Sequence, residues 1–186
     1  WTKPAIASIL TGKFPSAHGA QGFQRVLPDE IDTLAEMLGR HGYATAAIVS
    51  HRLVGRSTGL AQGFEVYRDG QARGPRHFST PGVVAEARQE IARLTRGQRP
   101  FFLFVHFFDP HADYLRHPEV GFAPPRAGRL DATQPMSQLR EWMPGLTGDE
   151  LEFVRALYDE EVRSVDAGVA QLVGELERQG VSRDTW

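Results

Sequence analysis

The sequence predicts an α/β fold, a mostly parallel central sheet with helices on both faces, and two observations carry that prediction. Helix-like and strand-like segments alternate along the chain. The strongest strand signal, Phe101-Phe-Leu-Phe-Val-His-Phe-Phe108, is apolar and aromatic on both faces, as expected where helices cover a parallel sheet from both sides. The length of 186 residues, with 41% hydrophobic and 24% charged residues, suits one domain or a large piece of one.

Pro4 to Thr11 is a short apolar stretch that begins at a proline and stops at Gly12, the usual asymmetry of a helix start and stop. A Gly- and Ser-containing loop follows to Gln24. Asp29 to Arg40 reads as an amphipathic helix, with Ile31, Leu34, Ala35 and Leu38 at helical spacing, and Ala44 to Ser50 as a buried strand. Val83 to Thr95 reads as a second amphipathic helix, leading through Pro100 into the aromatic strand. Leu115 to Leu146 shows no clear period and predicts a long surface excursion that shapes a pocket or lid. Thr147 and Glu150 form a capping-box pattern ahead of a long helix to Gln179, in which Gly168 marks close packing or a kink. Val181 to Trp186 leads towards a further strand that is not expected within residues 1–186.

Twenty-one basic against 23 acidic residues give a net charge of -2, so no global field argues for nucleic acid as a partner. With no cysteine, the chain has no disulfide, no thiolate zinc site and no thiol nucleophile. No apolar run approaches the ~20 residues of a membrane helix, and membrane association stays undecided. The first residue is Trp1, and both ends read as cut, so that residues 1–186 are expected to form a single partial domain truncated at both ends.

The opening segment holds the most chemistry. Thr2 places a hydroxyl just ahead of a helix N-terminus, where free backbone N–H groups and the positive dipole end favour an anion. Capping the helix is the other reading of a threonine there. The run Trp1-Thr-Lys-Pro-Ala-Ile-Ala-Ser-Ile-Leu-Thr-Gly-Lys-Phe-Pro15, then His18-Gly19, resembles the sulfatase signature, with Thr2 at the nucleophile position and Pro4 at the signature proline. Four further segments are similar to that family in the same order. They are Leu34 to Ala47, Gly59 to Tyr67, Pro100 to Tyr114 with its Asp109-Pro110-His111 step, and Leu157 to Asp166. The resemblance extends over nearly the whole chain.

That resemblance implies an alkaline phosphatase-like fold and hydrolysis of sulfate or phosphate esters by a metal-activated hydroxyl. Thr2 would be nucleophile and metal ligand. His111, Lys13 and His51 would bind the ester. The divalent metal would be Ca²⁺ first, with Mg²⁺, Mn²⁺ or Zn²⁺ as alternatives, its other ligands lying outside this chain. The partner would be a small-molecule or glycan sulfate or phosphate ester, and the location periplasmic, extracellular or membrane-anchored.

Ala5 and Ile6 stand where sulfatases carry Ser and Arg, residues of the recognition signal for formylglycine. With Thr2 as well, formylglycine chemistry is not expected. A phosphoglycerol- or phosphoethanolamine-type transferase and a non-catalytic binding domain are the alternatives, since a fold does not dictate a function. His106 is expected to be a satisfied core histidine, and His18 to organise the loop beneath the first helix. Asp159, Glu160, Glu161 and Asp166 are expected to be exposed charges plus one or two buried hydrogen-bonding acids rather than a metal cluster. His41, His77 and His117 carry no signal.

Overall fold

The computed structural model describes residues 1–72, 77–111 and 113–186; Ala112, within the Pro100–Tyr114 motif, lies outside them. In chain order the elements are α1 (Thr2–Thr11), α2 (Pro15–His18), α3 (Leu34–Arg40), β1 (Ala44–Val49), β2 (Val66–Arg68), α4 (Thr80–Thr95), β3 (Phe101–His106), α5 (Met136–Trp142) and α6 (Gly148–Arg178). The three strands form one parallel sheet in the order β2-β1-β3.

β1 sits at the centre, every residue buried, and its period of two divides the core into layers. Ala47 and Val49 join Ala7 and Leu10 of α1, Ala35 of α3, and Leu27 and Leu60 on one face. Ala44, Ala46 and Ile48 face Leu94, Val83 and Ala87 of α4 on the other. The small alanines let both helical layers approach closely. Thr45, the one polar residue of β1, donates to Gly63 O at 2.6 Å and accepts from Glu65 N at 3.0 Å, so its buried hydroxyl is satisfied.

Several boundaries differ from the sequence reading, each for a local reason. α1 begins at Thr2 with Trp1 as N-cap, which puts Thr2 inside the first turn rather than ahead of it. α3 begins at Leu34, not Asp29, because Thr33 and Glu36 close a reciprocal capping box: Glu36 N donates to Thr33 Oγ1 at 3.2 Å and Thr33 N to Glu36 Oε2 at 2.8 Å. Ile31 still packs on the core, but from the approach to the helix. β3 stops at His106. The excursion after Leu115 contains α5 and a 3₁₀ turn at Met143–Gly145, and Ser182–Asp184 form a further 3₁₀ turn after α6.

α6 runs unbroken for 31 residues from the Thr147–Glu150 capping box. Gly168 marks close packing: a Cβ there would lie 3.0 Å from the methyl groups of Thr80 and Val84 on α4. Tyr158, Val162, Val169 and Val173 of the same helix are each more than 40% exposed. Among the described residues, no helix is long and apolar enough to cross a membrane.

Candidate functional site

The C-terminal ends of β1 and β3 lie side by side, with Val49 opposite His106. Ser50 stitches them: its hydroxyl donates to His106 O at 2.9 Å and accepts from Phe108 N at 2.8 Å. That bridge ends β3 and fixes Phe108. The His51 ring stacks on Phe108 at 4.3 Å and 6°, the His111 ring on Phe108 at 4.6 Å and 17°, and the two imidazoles are 6.3 Å apart. Two of the sequence-predicted ligand residues, 60 positions apart, are thus gathered around one aromatic ring. They sit beyond the carboxyl ends of parallel strands, where ligands bind in open α/β sheets.

Burial pushes the His51 pKa down to about 4, helped by the charges of His106, His111 and Arg52. Near neutral pH it is therefore an uncharged imidazole. Its Nδ1 is buried without a hydrogen-bond partner among the described residues. His111 is exposed, and its backbone N–H donates to Phe108 O at 3.0 Å. His106 departs from expectation. It is only partly buried, its Nδ1 has no partner among the described residues, and burial lowers its pKa.

Thr2 stands, partly buried, at the N-terminal end of α1. The helix packs through Ala7 and Leu10 on Val49 and Val54 and touches the turn Arg52–Val54 that directly follows His51. Lys13 lies exposed beyond the other end, past Gly12, whose positive φ of 66° closes the helix. Ten helical residues separate Thr2 from Lys13 by about 15 Å along the axis. The structure therefore brings the helix of Thr2 against the segment of His51 and leaves Lys13 apart.

His18 does organise the loop beneath α1. Its Nδ1 accepts from Ala20 N at 3.1 Å, so Nε2 carries the proton and donates to Ser8 Oγ at 3.1 Å. Lys3 was not singled out by sequence. It is 1% exposed and donates to Phe23 O at 3.1 Å and Arg25 O at 2.6 Å, and burial lowers its pKa. It clamps the loop to the first turn beside Thr2. No periodicity announces a lysine whose partners are loop carbonyls.

The acids of α6 divide as expected. Asp159 and Asp166 are exposed, and Glu160 and Glu161 are buried. Glu160 accepts from His117 N at 2.7 Å and Ala123 N at 2.8 Å, and Glu161 from Leu115 N at 2.8 Å. Burial, then the nearby charge of Asp109, raises the Glu161 pKa. His117 proves to be buried against Phe78, with Nδ1 3.2 Å from Glu119 and Nε2 3.5 Å from Glu161. These acids hold the excursion onto α6. The excursion also helps wall a cavity of about 490 Å³ against α4 and α6, lined by Arg88, Phe122, Arg163 and Gly168 among others.

Among the described residues, no three His, Asp or Glu side chains gather to hold a cation, so these residues do not by themselves make a metal centre.

The sulfatase family model matches residues 1–186. No curated protein sequence matches the chain. Among solved structures, a protein in complex with its substrate D-glucosamine-2-N,6-O-disulfate is similar with a TM-score of 0.68 and 17% identity, over 98% of this chain and 53% of that one. A 2-O glycosaminoglycan sulfatase gives 0.66 and 16% over 99% and 46%. The phosphonate monoester hydrolase of Agrobacterium radiobacter gives 0.62 and 18% over 98% and 51%. The chain thus spans about half the length of these structures, whose low identity speaks for the fold. Family match and fold agree with the alkaline phosphatase-like architecture, and the chain belongs to the sulfatase family.

Proposed function

We propose that this chain is the nucleophile-bearing part of a hydrolase that cleaves sulfate or phosphate esters. The observation that carries the reading is the gathering of His51 and His111 around Phe108 at the carboxyl end of the parallel sheet, in a chain of the sulfatase family. The Thr2 hydroxyl loses its proton to solvent, and its oxygen attacks sulfur or phosphorus as the bond to the ester oxygen of the leaving alcohol breaks. His111, exposed and held at the strand edge, donates to an ester oxygen and gives the leaving alkoxide its proton. His51, neutral near pH 7, offers a hydrogen bond rather than a charge. Lys13 adds at most a distant positive field, given its place at the far end of α1. A divalent cation, general in this family, would stabilise the attacking oxygen as alkoxide. Thr2 is the ligand this chain offers, and the others would come from polypeptide outside residues 1–186.

The substrate is a small-molecule or glycan ester, in keeping with the sulfated glucosamine bound by one structural neighbour. Phosphate esters are turned over at least as well as sulfate esters. A threonine has one hydroxyl, so its covalent intermediate is released by water attacking phosphorus or sulfur directly, a route natural to phosphoryl enzymes. The likeness to a phosphonate monoester hydrolase points the same way.

Kinetics of the full-length enzyme on matched nitrophenyl sulfate and phosphate esters, with intact protein mass, test the reading. Thr2→Ala is expected to lower turnover by about 10³-fold or more with the fold intact, since a nucleophile acts in every cycle. Near-normal turnover by Thr2→Ala, or a clear sulfate preference, would overturn it.

A further inference from the structure

We propose that Asp109 is the positioning residue of the site, holding the turn that carries His111 by tethering it to the N-terminus of α4. This rests on the reading of His111 as an ester-binding group. The Asp109 side chain is buried and takes four hydrogen bonds from two consecutive residues. Oδ2 accepts from Ser79 N at 3.1 Å, Thr80 N at 2.8 Å and Thr80 Oγ1 at 2.7 Å, and Oδ1 accepts from Ser79 Oγ at 3.0 Å. Ser79 is the N-cap of α4 yet makes no cap bond with its own side chain. Asp109 supplies the cap from 29 residues away, with its carboxylate where the helix dipole favours an anion.

The position of the anchor gives it a role at the site. Phe108, which stacks on both imidazoles, is the preceding residue, and His111 follows two residues later. The Phe108 backbone is held from one side by Ser50 and the turn is closed by His111 N donating to Phe108 O. The Asp109 carboxylate is a further restraint on the turn. An exposed imidazole on an untethered turn would sample many placements, and misplacement by about 1 Å costs an enzyme on the order of 10²-fold.

The hydrogen-bond pattern names a conservative variant. In Asp109→Asn the amide oxygen can take the place of Oδ2 and keep its three donors. The amide N–H₂ can take the place of Oδ1 and donate to Ser79 Oγ, whose own proton turns away. Asp109→Ala loses all four bonds, and Ser79→Ala with Thr80→Val loses the two hydroxyl donors from the opposite side.

A double-mutant cycle in the full-length enzyme tests the proposal on a nitrophenyl phosphate ester. Asp109→Ala should lower kcat/KM about 10- to 100-fold, Asp109→Asn should restore most of it, and Ser79→Ala/Thr80→Val should fall between. In a His111→Ala background, Asp109→Ala should cost nothing further. An additive loss in that background, unchanged kcat/KM in Asp109→Ala, or an Asn variant as poor as Ala would each overturn the assignment. If His111→Ala itself keeps full turnover, the reading of His111 fails, and the tether is then judged by NMR of the imidazoles. Asp109→Ala must shift the His111 ring resonances for the tether to stand, and unmoved resonances sink it.

Discussion

The body around β1 and the excursion between Tyr114 and Thr147 are built on different principles. The body is apolar packing: alanines, valines and leucines from α1, α3, α4 and three strands interlock on the two faces of one buried strand. The excursion has a small core of Ala123, Leu130, Leu139, Phe153 and Leu157, and beside it a row of buried carboxylates from α6 that accept backbone N–H groups. Glu150 accepts from Arg129 N, Glu160 from His117 N and Ala123 N, and Glu161 from Leu115 N. One region is organised by side-chain period. The other is irregular chain whose backbone polar groups must still be satisfied, and α6 supplies the acceptors.

Removing a carboxylate from that row should give the largest stability effect. Glu160→Ala leaves two buried N–H groups without partners, and each orphaned donor costs about 1–3 kcal/mol, so a loss of about 3–5 kcal/mol is expected. Asp159→Ala, one residue away on the exposed side, should stay within about 0.5 kcal/mol. In the body, Ile48→Ala should cost about 3 kcal/mol through its cavity. The two losses should differ in kind. In Glu160→Ala, amide exchange should speed first between residues 113 and 146, whereas Ile48→Ala should accelerate exchange across the sheet. Uniform acceleration in both variants would show that the two regions unfold as one.

The same difference explains what was legible in the sequence. α4 and α6 are periodic and β1 is a short continuous apolar run, so their existence and order could be read from the sequence, and the parallel arrangement followed from their alternation and from a strand apolar on both faces. α5 lies in a Pro- and Arg-rich stretch and is only seven residues long, too short for a period to stand out. β2 has three residues and owes its strand geometry to β1, so its own propensity carried little signal. At the site, His51 and His111 came from the family pattern, and the structure adds the Phe108 ring between them. The residues that build the surroundings were illegible because their partners lie far along the chain: Asp109 at the start of α4, Lys3 on the Phe23–Arg25 loop, and His117 wedged between α6 and Phe78. Hydrogen bonds of that kind leave no periodic trace.

The seam between the two principles is the packing of α6 on α4, and Gly168 sets its separation. Gly168→Leu would force a side chain against Thr80 and Val84, and overpacking of that kind costs about 1–3 kcal/mol. Thr80 also donates to Asp109, so the strain should travel to the turn carrying His111. Gly168→Ala should be milder, because its clash is partly offset by about 1 kcal/mol of helix propensity. Denaturant midpoints that rank wild type and Ala together and Leu well below would fit this view. A Leu variant as stable as wild type would mean that the helices slide apart freely.

The smallest expected effect isolates one group of the site through pH. The folded-state pKa of His51 is depressed to about 4 from an ordinary value near 6.5, mainly by burial. Between these two values the unfolded chain binds the proton and the folded chain does not. The unfolded state thus holds more protons, and stability rises with pH across that window. The contribution is complete above about pH 6.5, declines as the solution is acidified, and levels off below about 4. His106 is shifted in the same direction and acts alongside it, so the assignment needs a variant. His51→Phe keeps a flat ring to stack on Phe108 and removes the titration. It should flatten part of the slope of unfolding free energy between pH 4 and 6.5 while leaving stability at pH 7.5 nearly unchanged. An unaltered slope in His51→Phe, or an NMR titration of the His51 ring near 6.5, would show that the imidazole is solvated and that the stack around Phe108 is open in solution.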